Sequence, residues 1–208
     1  MPSPNNYVST MADVLATGFN VFAGNWNSSP GPAQVEIVTV NWLLGLCGLP
    51  VQQSGGLFLS GGSMANLVAL ATARKVQLND DLTHARLYCS DQTHSSVSRA
   101  ARVLGFAPNQ IRVIATDDQF RLRVDALQAA LGTDRATGLR PCCVVANGGT
   151  TNTGAVDPLP ELADLCEAEG LWLHVDAAYG GGALLHPDGQ TALRGIGRAH
   201  SVTVDPHK

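Results

Sequence analysis

From residue 56 onward, short apolar runs alternate with longer stretches of helical spacing, and this rhythm narrows the possible folds more than any other feature of the chain. GLFLS (56–60), ARLYCS (85–90), IRVIAT (111–116), CCVVAN (142–147), LWLHVDAA (171–178) and SVTVD (201–205) read as strands. Between them, SMANLVALATARKVQ (63–77), HSSVSRAARVL (94–104), VDALQAAL (124–131) and PELADLCEAEG (160–170) read as helices, with a further short helix over 190–199. Strands separated by helices imply right-handed crossovers, so the pattern predicts an α/β fold with a mainly parallel sheet. Open sheets of this kind bind ligands beyond the carboxyl ends of their strands. The polar clusters of this chain fall at those ends.

Ahead of the alternation, residues 1–32 are rich in Asn, Ser, Gly and Pro and read as an arm with irregular stretches. Residues 33–47 are densely apolar and free of proline, which predicts a mostly buried helix ending at Gly48 and Pro50. The expected division is therefore an arm and helix over 1–50 and a large domain over 51–208. At 208 residues the chain can bury a real core. Charged residues make up only 14% of it, against a usual share of about 25%, so part of the surface is expected to pack against a partner subunit or further chain. A net charge of −4 without a basic stripe argues against nucleic acid. No apolar run approaches a membrane span, and MPSPNNYVST has no secretion-signal pattern. Cys47, Cys89, Cys142, Cys143 and Cys166 are odd in number and lack C-x-x-C spacing. They read as reduced, buried residues of a cytoplasmic protein, with no metal site.

Five clusters could carry chemistry. Ser60-Gly61-Gly62-Ser63 joins a strand to a helix, where glycines and free N–H groups could form a phosphate cup; an ordinary turn with Ser63 capping the helix is the alternative. His94 in SDQTHSSV follows a strand, as either a structural or a ligand-facing histidine. NGGTTNTGAVDP (147–158) offers backbone and hydroxyl donors, or is simply a long loop with a side-chain turn. In LWLHVDAAYGG, alternation places Trp172, His174 and Asp176 on one face and Leu171, Leu173 and Val175 on the other. A carboxylate at the end of an apolar strand is costly unless a cation such as a protonated pyridine meets it; Asp176 could instead cap the next element. His174 either supports Asp176 from behind or is a plain core histidine. Ala177, Ala178 and Gly180–Gly182 leave room for a flat ring. Finally, DPHK (205–208) puts Lys208 after a strand, as a solvated charge or as an amine nucleophile toward an aldehyde. Together these make an anion cup, a ring-stacking candidate, an acid for a ring nitrogen and a lysine, the inventory of a pyridoxal 5'-phosphate (PLP) site.

The sequence resembles the group II PLP-dependent amino-acid decarboxylases, which include the aromatic-amino-acid, tyrosine, histidine and glutamate enzymes. The resemblance runs from about Trp26 to Lys208. SVTVDPHK fits the family's lysine pattern of Ser, an apolar residue, five of any kind and Lys, and HVDAAYGG, SDQTHSSV and GGSMANLVAL match in order and spacing. The resemblance implies a three-layer fold type I PLP-dependent transferase-like large domain, incomplete here. It implies that Lys208 carries PLP as a Schiff base, that Asp176 pairs with the pyridine nitrogen and that His94 stacks on the ring near the substrate carboxylate. It further implies that Thr151 faces the cofactor, Ala178 packs under the ring, and Gly62 and Ser63 hold the phosphate with His207 nearby. Asp205 stands where some members carry Asn, and a carboxylate there would repel phosphate, so no phosphate contact is assigned to it.

The implied activity is decarboxylation of an L-amino acid, with HSSV closer to the aromatic branch, in a protein that is a homodimer when intact. Members continue past the lysine into a mobile loop and a C-terminal domain, so the chain reads as a fragment ending at the cofactor lysine. Two alternatives stay open: an aldehyde-forming member of the same family, and an inactive PLP-binding fragment or pseudoenzyme.

Overall fold

The computed structural model describes residues 4–208, so the first three residues of the expected arm lie outside the described residues. The chain forms two compact units, one of residues 4–58 with His207 and Lys208, the other Leu59–Pro206.

In the larger unit, five strands form one sheet: β1 (Ala85–Ser90), β2 (Ile111–Ile114), β3 (Arg140–Asn147), β4 (Trp172–Ala177) and β5 (Ser201–Val204). Their order is β2-β1-β3-β4-β5, and every pairing is parallel. The intervening helices are α3 (Gly62–Leu78), α4 (Ser95–Val103), α5 (Val124–Ala136), α6 (Leu159–Glu169) and α7 (Pro187–Ala192). The expected alternation is thus present, and the predicted helix over 190–199 is α7 followed by a 3-10 turn at Ile196–Arg198.

Side-chain alternation decides what each face of the sheet meets. Leu87, Cys89, Cys143, Val145 and Trp172 pack with Leu70 and Ala73 of α3 and Val97, Ala100 and Ala101 of α4. On the opposite face, Tyr88 donates its hydroxyl proton to Asp134 of α5 at 2.7 Å, and Arg112 and Asp134 form an ion pair beside it. The sheet is therefore covered on both faces, which is why β1, β3 and β4 are buried almost throughout and read as continuous apolar runs. A fully buried leucine of this core contributes about 1.5–3 kcal/mol. The five cysteines are free and buried, and burial pushes the Cys89 thiol up to about 11 and those of Cys142 and Cys166 to about 12.

GLFLS (56–60) is not a strand: it has no partner in the sheet, Leu57 and Phe58 are exposed, and the Phe58 N–H donates to the Glu36 carboxylate at 2.7 Å instead. Between its irregular stretches the arm contains a helix that was not expected, α1 (Tyr7–Phe19), whose N-cap Asn6 accepts from the Ser9 N–H. The helix expected over 33–47 is α2 (Pro30–Leu46), which starts earlier because proline suits the first helical positions. It is less buried than expected; Val40 and Leu44 are its buried residues, while Trp42 and Val35 are exposed. Among the described residues, no helix is long and apolar enough to cross a membrane.

Candidate active site

The carboxyl ends of β1, β3, β4 and β5 lie side by side, and the loops leaving them carry the polar clusters. Asp176 is the penultimate residue of β4, paired in register with Asn147 of β3 and Thr203 of β5. It is buried. Its Oδ2 accepts from the Asn66 side-chain amide at 2.8 Å, and its Oδ1 accepts from the Ala178 N–H at 3.1 Å. Both donors are neutral and supply no countercharge, and Asp176 does not cap the next element, the 3-10 turn at Gly181–Leu185, whose N-cap is Gly180 without a side-chain cap.

Asn66 is buried on α3 and meets three groups besides its own helix. Its Nδ2 donates to Asp176 and to the Ser96 hydroxyl at 2.9 Å, while its Oδ1 lies 3.1 Å from His174 Nε2. Ser96 Oγ is in turn 2.8 Å from His94 Nδ1, which also accepts from the Ser96 N–H at 3.3 Å as the N-cap of α4. His94 is both a cap and an exposed ring at the sheet edge. His174 is a core histidine that supports Asp176 through Asn66. Its Nδ1 is 2.9 Å from the Ser201 hydroxyl, which accepts from Trp172 Nε1 at 2.9 Å. Burial lowers the His174 pKa, and the nearby Asp176 charge acts against that.

At the start of α3 the N-cap is Gly61, with φ 109, a left-handed conformation that favours glycine. No side chain caps this end, so Ser63 is a first-turn residue and not the cap. The first helical bonds run from Met64 and Ala65 to the Gly61 carbonyl, leaving the N–H groups of Gly62 and Ser63 ahead of them. A Cβ on Gly62 would sit 3.4 Å from Ala178 Cβ, so this helix end adjoins the turn that follows Asp176.

The loop after β3 is fixed from below. Asp157 accepts from the Leu122 N–H, the Asn147 N–H and the Asn147 side chain, which also donates to Ser90 Oγ and Thr93 Oγ1. Thr150 is buried and bonds Thr153 in a side-chain turn, whereas Thr151 is exposed at the loop tip. The turn reading of this loop therefore stands beside the donor reading. Beyond β5 the chain passes half-buried Asp205 and then Pro206 to His207 and Lys208, which are exposed and belong to the other compact unit.

Gly62, Ser63, His94, Thr151, Asp176 and Ala178 thus fall in one unit, around the ends of β1, β3 and β4 and the start of α3. Sequence reasoning missed Asn66 and Ser96. Asn66 shares a helical stripe with Ala69, Leu70 and Ala73, and an amide on an otherwise apolar face was the available signal.

The whole chain, residues 1–208, matches the pyridoxal-dependent decarboxylase conserved domain. It is 53% identical over 208 residues to an aromatic-L-amino-acid decarboxylase of Bacillus atrophaeus, covering all of this chain and 43% of that protein. Among solved structures it resembles 4-hydroxyphenylacetaldehyde synthase of Rhodiola rosea, with a TM-score of 0.94 and 34% identity over all of this chain and 47% of that one. It also resembles Oryza sativa TDC with PLP and tryptamine, with a TM-score of 0.92 and 33% identity over 99% of this chain and 45% of that one. The chain spans less than half the length of these relatives.

Proposed function

The chain belongs to the family of pyridoxal-dependent decarboxylases, and on that premise we propose that residues 51–208 form the cofactor-binding part of an amino-acid decarboxylase acting on an aromatic L-amino acid. The observation that carries this reading is Asp176, a buried carboxylate at a strand end that meets neutral donors and adjoins an uncapped helix start. A protonated pyridine nitrogen answers such a carboxylate, and the helix start answers a phosphate. The residues present therefore fit PLP.

In this reading the Gly62 and Ser63 N–H groups hold the phosphate, with His207 near it, and Ala178 lies under the ring. Asp176 keeps a proton on the ring nitrogen, His94 covers the ring's other face beside the substrate carboxylate, and Thr151 faces the cofactor. Lys208 Nζ would be the amine that holds the cofactor through its aldehyde carbon. Bound PLP supplies the electron sink for the pair left at Cα when carbon dioxide departs. The 53% identity to the Bacillus atrophaeus enzyme supports the aromatic substrate class. The intact protein is proposed to be a cytoplasmic homodimer, in keeping with buried free thiols and with exposed Tyr7, Phe19 and Trp42.

The test loads the protein with PLP, reduces it with borohydride and locates the modified lysine by mass spectrometry, alongside carbon dioxide release from aromatic amino acids. Label at Lys208 with carbon dioxide and amine supports the proposal. Label with carbon dioxide and aldehyde assigns the aldehyde-forming branch, and label without turnover leaves PLP binding alone. No label at Lys208 overturns the cofactor assignment.

A further inference from the structure

The hydrogen bonds around Asn66 admit one consistent set of donors and acceptors. A carboxylate only accepts, so the Asn66 atom 2.8 Å from Asp176 Oδ2 is its NH2 group. The second Nδ2 proton then goes to Ser96 Oγ at 2.9 Å, which leaves the Ser96 hydroxyl proton to donate to His94 Nδ1 at 2.8 Å. The Ser96 N–H points at that same nitrogen, which therefore carries a lone pair. The Asn66 oxygen faces His174 Nε2, so that nitrogen bears a proton. His174 Nδ1 lies 2.9 Å from the Ser201 hydroxyl and 3.2 Å from the Ser201 carbonyl oxygen. Both polar atoms of the Asn66 side chain are engaged, and each of its own hydrogen bonds runs in a fixed direction.

We infer that Asn66 is a positioning residue that ties His94 to Asp176, holding Asp176 as an acceptor and His94 as the neutral tautomer with its proton on Nε2. This rests on the roles given above to Asp176 and His94. Through Ser96, the amide turns the outer nitrogen of the His94 ring into an N–H donor, the form suited to a carboxylate of a substrate lying beside it. Through its other proton, Asn66 keeps one Asp176 oxygen occupied, so that the carboxylate keeps a single orientation at the strand end.

Two measurements test this, one of them without cofactor. Nitrogen NMR of the imidazoles in the PLP-free protein is expected to find His94 protonated at Nε2, and Ser96→Ala is expected to admit the Nδ1-protonated form. A wild-type His94 protonated at Nδ1 would overturn the inference. The second measurement is PLP affinity with the visible circular dichroism of the bound cofactor, and thermal melts verify that each variant is folded. Asn66→Leu removes a charge-assisted hydrogen bond and should weaken PLP by about tenfold to a hundredfold at every pH. Asn66→Asp puts a second carboxylate against Asp176, and such a pair holds a proton more tightly than either acid alone. Its defect relative to wild type should therefore be large near pH 8.5 and shrink toward pH 6, as the shared proton restores a donor. If both variants bind PLP within about twofold of wild type, with unchanged dichroism and no pH-dependent difference between them, Asn66 has no positioning role. Wild-type protein that takes up no PLP would instead sink the reading of the site itself, a failure visible before any variant is made.

Discussion

At the scale of single residues, burial and hydrogen bonding pull against each other most sharply at Asp176. Taking a carboxylate out of water costs several kcal/mol unless donors and a countercharge compensate. Asn66 and Ala178 supply the donors, and the countercharge is the proposed pyridinium. Asp176→Ala is therefore expected to lower turnover by about a hundredfold or more, the scale on which loss of one preorganised electrostatic partner is felt. It should also weaken PLP, while leaving the fold intact because the buried charge has gone with the side chain. Steady-state kinetics and a cofactor titration on the same preparation check this, and near-normal turnover would remove Asp176 from its role.

At the scale of elements, the loops leaving β3 and β4 touch backbone to backbone. A Cβ on Gly180 would lie 2.1 Å from the Gly148 carbonyl oxygen, and Gly149, at φ 106, has the Gly180 backbone 3.0 Å from where its own Cβ would be. Gly180→Ala should accordingly destabilise the protein by about 3 kcal/mol, since neither loop can give way without moving the other. Gly132→Ala, in α5 with nothing near, should do the opposite and stabilise by about 0.5–1 kcal/mol. Urea midpoints of the two variants give the comparison, and equal shifts would refute it. Neither outcome is legible from glycine content alone, and that marks how far the sequence could be read. β1, β3 and β4 were legible because a covered parallel sheet makes continuous apolar runs. GLFLS has the same look but no neighbour to pair with, and pairing is not written in a single segment. α1 was missed although Tyr7, Val8, Met11, Val14 and Leu15 have helical spacing behind the Asn6 cap, because the Asn, Pro and Gly around it weighed more in the reading. The residues proposed to face the cofactor were legible through their motifs. Asn66 was not, because its partners Ser96, His174 and Asp176 are brought together only by the packing of α3 on the sheet.

At the scale of the whole molecule, the buried imidazoles make stability depend on pH with a definite sign. Burial lowers the pKa of His174, so the fold keeps it neutral while the unfolded chain titrates near pH 6.5. Below that pH the unfolded state binds the extra proton, and stability falls as the solution is acidified. The slope from this one group is at most about 1.4 kcal/mol per pH unit. His200, stacked on Trp172 with its Nδ1 accepting from the Leu173 N–H, shifts the same way from burial, but its exposed side makes its share smaller. Asp157 works in the other direction: burial raises its pKa against the hydrogen bonds it accepts. Its contribution is therefore greatest when it is protonated and is lost as pH rises through the more acidic range above its ordinary value. Between pH 7.5 and 5.5 the histidines should dominate, and the melting temperature should drop by about 2–4 °C for each kcal/mol lost. His174→Gln can still offer an amide proton to Asn66 but cannot titrate. That variant should start from a lower melting temperature and decline less steeply over the same interval. Parallel curves for the two proteins would mean that the proton taken up on acid unfolding goes elsewhere than to the ring beneath Asn66.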